Sequence, residues 1–162
     1  MINNLKTSFK PIADVETQIL ILGSLPGDKS LEFQQYYAHP RNRFWTVIAI
    51  ITESNFPTNY QEKLNLLHQN KIGVWDVVHT AKRVGSLDTN ILEEIPNDLE
   101  SFILSHPNLK IIGFNGAKAQ KLFDKYFTRK ADLKYIALPS TSPANASFTI
   151  GRLIESWREI LL

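Results

Sequence analysis

The fold of this chain is decided by one stretch of ten residues, Gln18-Ile-Leu-Ile-Leu-Gly-Ser-Leu-Pro-Gly27. Residues 19–22 are an uninterrupted apolar run, which is typical of a strand covered by helices on both faces. Gly23, Pro26 and Gly27 then supply residues that favour a turn at the end of that strand. The stretch therefore predicts a buried strand of a parallel α/β sheet that leads directly into a loop.

Apolar runs and amphipathic segments alternate through the rest of the chain. Short apolar runs predict strands, and apolar residues three and four apart predict helices. The further predicted strands cover residues 72–78, 109–116 and 132–138, and the predicted helices cover residues 46–52, 59–70, 97–105, 117–127 and 147–162. A basic loop is expected at residues 79–88, and a further helical region from Asp88 or Thr89 up to Pro96. Ser147 is expected to cap the last helix.

This alternation predicts an α/β three-layer sandwich, with a central parallel sheet of about four strands and helices on both faces. The chain length of 162 residues fits a single domain, residues 1–162. The absence of cysteine excludes disulfides, thiolate metal sites, iron–sulfur clusters and a cysteine nucleophile. No apolar run is long enough to cross a bilayer and no export signal begins the chain, so a cytoplasmic protein with no membrane role is expected.

Unusual polar residues follow each predicted strand. They are the loop at residues 23–27, Asp76 with the basic loop after it, Asn115 with Gly116, and the hydroxyl-rich loop at residues 139–146. Parallel strands place their carboxyl ends on one edge of a sheet, where ligands of α/β folds bind. Each feature taken singly is also compatible with an ordinary turn, cap or solvated surface, and the first loop is neither a Walker nor a Rossmann motif. The combination predicts a binding site at this edge.

The block Tyr37-Ala-His-Pro-Arg-Asn-Arg-Phe-Trp-Thr-Val-Ile48 resembles the Phe-Ala-His-Pro-x-Asn-Arg-Phe-Trp-Lys-Val-Ile block of mismatch-specific uracil-DNA glycosylases. Gly23-Ser-Leu-Pro-Gly27 takes the place of their Gly-Ile-Asn-Pro-Gly motif, and Leu138-Pro-Ser-Thr-Ser-Pro-Ala-Asn145 takes the place of their Leu-Pro-Asn-Pro-Ser-Gly-Leu-Ser motif. The resemblance extends over about residues 18–157. Within the uracil-DNA glycosylase superfamily, these forms are most similar to the hypoxanthine-DNA (deoxyinosine) glycosylase branch.

The resemblance implies a role for each matching position. Leu25 aligns with the asparagine that positions the attacking water in relatives, and a leucine cannot do this, so Asn42 is expected to hold the water instead. Tyr37 is expected to stack on the flipped base. Asp76 falls at the base-recognition position, and Gly23, Ser24 and Leu25 are expected to shape the pocket. His39 is assigned to the catalytic group, either hydrogen-bonded to the base or fixing the turn.

The remaining implied contacts are with DNA. The loop residues Ser140, Thr141, Ser142, Ala144 and Asn145, together with Lys82 and Arg83 of the basic loop, are expected to meet the DNA. The implied activity is that of a monofunctional glycosylase, acting as a monomer on double-stranded DNA with a deaminated base, without cofactor or metal. A uracil or mismatch glycosylase, a nucleoside hydrolase, and a non-catalytic binder of damaged DNA or nucleotide are the alternatives that stay open.

Overall fold

The computed structural model describes residues 4–161. The strands are β1 (Leu5–Thr7), β2 (Ile19–Gly23), β3 (Ile72–Asp76), β4 (Val78–Lys82), β5 (Leu92–Pro96), β6 (Ile111–Asn115) and β7 (Lys134–Leu138). The α-helices are α1 (Asp28–Phe33), α2 (Phe44–Ile51), α3 (Tyr60–Gln69), α4 (Leu99–Ser105), α5 (Ala117–Tyr126) and α6 (Ile150–Trp157). Short 3₁₀ turns cover Asp88–Asn90, Pro143–Asn145 and Arg158–Ile160.

The central sheet has four parallel strands in the order β3-β2-β6-β7. Strand β2 lies inside the sheet, and all five of its residues are buried. Its side chains alternate between two apolar clusters, because Ile19 and Ile21 pack in one while Leu20 and Leu22 pack in the other. An uninterrupted apolar run was therefore the correct signal for a strand buried on both faces.

The two clusters are the two interfaces of a three-layer sandwich. Residues of α2, α3 and α6 fill the first cluster, and residues of α4 and α5 fill the second. The second cluster also takes in Val78 and Ala81 of β4, so a smaller sheet covers part of that face. The prediction of a central parallel sheet with helices on both faces is confirmed.

The smaller sheet was not predicted. It is antiparallel, with the order β1-β4-β5, and it contains part of the expected basic loop and the expected helical region before Pro96. Strand β5 has no fully buried residue, so its sequence carries no apolar periodicity. Its conformation is set by backbone pairing with β4, and by Asn97, whose side-chain amide donates to the carbonyl oxygens of Asp76 and Val78.

Two further predictions are corrected at the helix ends. Residues 28–33, for which no helix was predicted, form the short helix α1. The last helix begins later than predicted, because Thr149 rather than Ser147 caps it by accepting a hydrogen bond from the Arg152 backbone N–H. Leu162, at the predicted end of that helix, lies outside the described residues. Within residues 4–161, no helix is long and apolar enough to cross a membrane.

Candidate active site

The carboxyl ends of the four parallel strands bring the predicted site residues to one edge of the sheet. Gly23 at the end of β2 is in register with Asp76 at the end of β3, and Asn115 at the end of β6 is in register with Leu138 of β7. The Gly23 carbonyl oxygen accepts a hydrogen bond from the Val77 N–H at 2.8 Å, which fastens the two strand ends together. The loops that follow the parallel strands therefore lie together at one edge of the sheet, as predicted.

Gly23, Asp76 and Tyr37 meet at this edge. A Cβ atom built on Gly23 would lie 2.6 Å from Asp76 Oδ1 and 3.1 Å from the Tyr37 hydroxyl, so only a glycine leaves room for both groups. Asp76 Oδ2 and the Tyr37 hydroxyl are buried, and neither has a hydrogen-bond partner among the described residues. Buried polar atoms without partners cost about 1–3 kcal/mol each. Their presence here is a physical sign of a ligand site.

Asp76 is in an environment that disfavours its charged form. Burial raises the pKa of its carboxyl to about 7, the negative charge of Asp88 adds to that increase, and the positive charge of Arg83 opposes it. The Tyr37 hydroxyl has its pKa raised by burial and by the Asp76 charge, and the nearby Asn115 side chain opposes this increase. The neutral acid and the carboxylate of Asp76 therefore coexist near neutral pH, beside a protonated phenol.

Tyr37 stands in a strained backbone position on the floor of the site. Its φ angle of 53° is in the left-handed region that tyrosine rarely adopts. The ring stacks on Phe44 with centroids 4.2 Å apart and planes 28° from parallel, and Phe44 itself is fully buried. The turn thus holds the Tyr37 ring on a rigid aromatic support while part of the residue remains exposed.

His39 and Asn42 form the turn that leads into α2. The Asn42 N–H donates to the His39 carbonyl oxygen at 2.9 Å, and the Arg41 N–H donates to His39 Nδ1 at 3.1 Å. Because Nδ1 accepts a hydrogen bond, Nε2 is the donor of the neutral ring. Asn42 Oδ1 accepts the Phe44 N–H at 3.0 Å, so it pairs with the first backbone N–H of α2 and keeps one lone pair for another donor.

Arg43 ties this turn to the loop after β7. Its backbone N–H donates to the Thr141 carbonyl oxygen at 3.1 Å, and its guanidinium donates to the carbonyl oxygens of Asn145, at 3.0 Å, and Phe148. No role was predicted for this residue, although its place between Asn42 and Phe44 in the block of residues 37–48 was a signal. The two loops of the site are therefore held together by one side chain.

Replacing Arg43 tests this connection. Arg43→Ala should lower the free energy of unfolding by about 3 kcal/mol, since two charge-assisted hydrogen bonds to backbone oxygens are lost. The urea midpoint of the variant would show this loss. Arg41→Ala, which removes an exposed arginine of the same block, should stay within about 0.5 kcal/mol of the unmodified protein. Equal midpoints for Arg43→Ala and Arg41→Ala would rule out the connecting role.

The loop after β7 is ordered by its own hydroxyl groups. Ser140 Oγ accepts the Ser142 N–H, Ser142 Oγ accepts the Ala144 N–H, and the Asn145 amide donates to the Ser140 carbonyl oxygen. Thr141 is fully buried and exchanges two hydrogen bonds of 3.0 Å with the Asn115 side chain. The prediction that the Thr141 side chain contacts DNA is therefore wrong, whereas Ala144 is exposed and Ser140, Ser142 and Asn145 are partly exposed.

Of the two basic residues at the end of β4, one is exposed and the other is buried. Lys82 is exposed and pairs with Glu93, with Nζ and Oε2 2.7 Å apart. Arg83 is only 1% exposed, and its guanidinium donates to the carbonyl oxygens of Gly85 and Pro26. Its predicted contact with DNA is corrected, because the cation faces inward and fastens the loop at residues 83–86 to the turn after β2.

Two residues of the turn after β2, Ser24 and Leu25, make contacts that were not predicted. Ser24 is buried, and its hydroxyl donates to Asp88 Oδ1 at 2.5 Å. Leu25 packs in the core with Val77 and Val78, so its contribution to the site is apolar packing. Asp88 was considered in the sequence only as a helix cap. No local pattern identifies it as a site residue, because it is 64 residues from Ser24 along the chain.

Comparison with known proteins decides the family. The family model of the Uracil DNA glycosylase superfamily matches residues 9–160. The chain belongs to this superfamily. The predicted resemblance to the uracil DNA glycosylase superfamily is therefore confirmed.

Relatives within the superfamily are similar over most of the chain. A Hypoxanthine DNA glycosylase of Methanosarcina barkeri (strain Fusaro / DSM 804) is 48% identical over 115 residues, 70% of this chain and 73% of the relative. A Hypoxanthine DNA glycosylase of Methanosarcina acetivorans is 39% identical over 157 residues, 96% of this chain and 98% of the relative. A solution NMR structure of a candidate uracil DNA glycosylase from Methanosarcina acetivorans superimposes with a TM-score of 0.81 at 37% identity, covering 96% of this chain and 98% of that one.

Proposed function

We propose that this protein is a monofunctional DNA glycosylase that hydrolyses the N-glycosidic bond of hypoxanthine in double-stranded DNA and leaves an abasic site for base excision repair. The relatives named Hypoxanthine DNA glycosylase support the choice of base. The observation that carries the proposal is the buried pair formed by Asp76 Oδ2 and the Tyr37 hydroxyl, which have no partner in the described residues. A flipped base brings polar atoms that satisfy such a pair.

Tyr37 and Asp76 contact different parts of the base. A flipped purine stacks on the Tyr37 ring, which Phe44 supports from the other side. The polar edge of the base faces Asp76, in the space that Gly23 leaves open. Stacking accepts any base, so the hydrogen bonds to Asp76 supply the preference for a deaminated one.

The reaction itself needs a water beneath C1′ of the sugar. As the bond breaks, the base gains negative charge and the sugar gains oxocarbenium character. Asn42 holds the water through the free lone pair of Oδ1, whose position is fixed by the hydrogen bond from the Phe44 N–H. His39 Nε2 is a donor available to the base or the turn, because Nδ1 accepts the Arg41 N–H. Asn42, Tyr37 and Asp76 offer no amine that could form a Schiff base with C1′ of the sugar, so water is the nucleophile and the strand is not cut.

The loops next to this edge meet the DNA. The exposed Ala144 and the partly exposed Ser140, Ser142 and Asn145 stand on the loop that Arg43 holds against α2. Backbone contacts with phosphates fix the position of a protein on DNA without reading sequence. A methyl group at Ala144 is a small wedge, so extrusion of the base relies on the weak pairing of a deaminated base with its partner. Lys82 lies exposed on the small sheet for a further phosphate contact.

A panel of duplexes tests the proposal. Duplexes that carry hypoxanthine, uracil, xanthine or ethenocytosine are incubated with excess protein, and the released base and the abasic product are measured. We expect fastest release from the hypoxanthine duplex, with strand breaks appearing only after alkali treatment. Faster release of uracil would favour the uracil or mismatch glycosylase. Tight binding of the hypoxanthine duplex without release of any base would favour a non-catalytic binder.

A further inference from the structure

Asp88 holds a second carboxylate near the base-binding edge. It lies in the 3₁₀ turn between β4 and β5, and the Ser24 hydroxyl donates to its Oδ1 at 2.5 Å. Ser24 follows Gly23, the residue in register with Asp76. The Val78 N–H donates to the Ser24 carbonyl oxygen at 3.1 Å, so backbone bonds fix the place of Ser24, and with it that of Asp88.

Four charged or titratable groups on the surrounding elements interact electrostatically with Asp76. Tyr36 and Tyr37 come from the turn before α2, Asp88 comes from the 3₁₀ turn, and Arg83 comes from the loop after β4. Burial raises the pKa of both tyrosines, so they are neutral. Arg83 directs its guanidinium to the carbonyl oxygens of Pro26 and Gly85, and within residues 4–161 Asp76 has no ion-pair partner. The nearby negative charge of Asp88 is therefore opposed only in part.

We propose that Asp88, held by the Ser24 hydroxyl, is a positioning residue whose negative charge adds to the effect of burial and favours the protonated Asp76 carboxyl, which offers the base a hydroxyl donor beside a carbonyl acceptor. This inference rests on the proposed function. Hypoxanthine presents an N1–H donor next to its O6 acceptor, and a neutral carboxylic acid matches both atoms at once. A carboxylate would only accept, and it would repel O6.

The neutral acid also suits the chemistry of the leaving base. Negative charge develops on the purine as the glycosidic bond breaks, and part of it is carried by O6. The Asp76 hydroxyl directed at O6 stabilises this charge, whereas a carboxylate in the same place opposes it. Protonated Asp76 therefore favours both binding and bond cleavage, and Asp88 controls the activity without contacting the base.

The pH profile of the reaction tests this control. Single-turnover release of hypoxanthine should be fast below the pKa of Asp76, about 7 in the free protein, and should fall as pH rises through it. Asp88→Asn keeps an acceptor for Ser24 and removes the negative charge, so the pKa of Asp76 falls. We expect its alkaline limb to move to lower pH by about one unit, with a rate about tenfold lower above neutrality.

Matched variants separate this effect from a general loss of structure. Asp124→Asn removes an exposed carboxylate that pairs with Arg129 on α5, and its pH profile should coincide with that of the unmodified protein. The side chain introduced by Asp76→Asn cannot ionise. The rate at which this variant releases hypoxanthine should therefore be the same at pH 6 and at pH 8. Adding Asp88→Asn to Asp76→Asn should leave its profile unchanged. If Asp88→Asn does not fold, Ser24→Ala, which releases Asp88 from its donor, should move the limb in the same direction.

The outcomes distinguish the inference from the proposed function. If hypoxanthine is released but Asp88→Asn and the unmodified protein share one alkaline limb, the positioning role of Asp88 is wrong and the proposed function stands. If no hypoxanthine is released, the proposed function fails. Carboxyl-carbon NMR of the free protein then tests whether Asp88 raises the pKa of Asp76. In that experiment Asp76 should titrate near 7 and at lower pH in Asp88→Asn. An unchanged Asp76 titration would overturn the control by Asp88.

Discussion

Asn42→Ala should slow single-turnover release of hypoxanthine from duplex DNA by about 100-fold or more, because the group that we propose to position the attacking water is removed. The same change removes the acceptor for the Phe44 N–H at the start of α2 and should cost about 1 kcal/mol of stability. Rates are therefore measured at a temperature where circular dichroism shows the variant fully folded.

Asn42→Ser separates the two roles of this side chain. A serine hydroxyl accepts a hydrogen bond at a helix start nearly as well as an asparagine does, so the urea midpoint should stay close to that of the unmodified protein. The shorter side chain does not reach the water, and the rate should still fall by about 100-fold. Release within a few-fold of the unmodified protein in Asn42→Ala would show that another group holds the water.

Gly23→Ala should reduce release of hypoxanthine by a similar or larger factor, about 100-fold or more, because its methyl group fills the space between Asp76 and Tyr37. The new Cβ would lie 2.6 Å from Asp76 Oδ1, a distance that forces the carboxyl to move. Overpacking of this kind also costs about 1–3 kcal/mol of stability. Urea unfolding and single-turnover release, measured on the same preparation, give both effects.

Gly27→Ala is the control on the same turn. A Cβ at Gly27 would meet Ser86 Oγ at 3.4 Å, an ordinary contact, and its φ of −73° suits alanine. Its rate should lie within a few-fold of that of the unmodified protein. If Gly23→Ala is equally active, Asp76 and Tyr37 do not enclose the base at this position, and the proposed pocket is misplaced.

The parallel sheet could be predicted because burial on both faces leaves a direct trace in sequence. Strands such as β2 consist of consecutive apolar residues, and the strand ends fix where polar residues such as Asp76 converge. The block that contains Tyr37 and Asn42 is continuous along the chain, so its members were found together. The structure adds contacts that could not be read from the motifs, such as the hydrogen bond from the Phe44 N–H to Asn42 Oδ1.

The small sheet and the residues it carries could not be predicted for physical reasons. Strand β5 is mostly exposed and is held by backbone hydrogen bonds, which depend little on side-chain type. Arg83 was assigned to the surface because arginine usually lies there, yet its guanidinium is buried and donates to the carbonyl oxygens of Gly85 and Pro26. Asp88 joins the site through Ser24, and such long-range pairing has no signature in a single sequence.

The small antiparallel sheet and the segment it contains place charged residues near the proposed base-binding edge. Asp88 and Arg83 act on Asp76 with opposite sign, and both are carried by the segment from β4 to β5, while Asp76 belongs to the parallel sheet. Substitutions in that segment can therefore change the proton affinity of Asp76 without altering the packing of the parallel strands. Base preference and working pH can thus diverge between relatives that share one core.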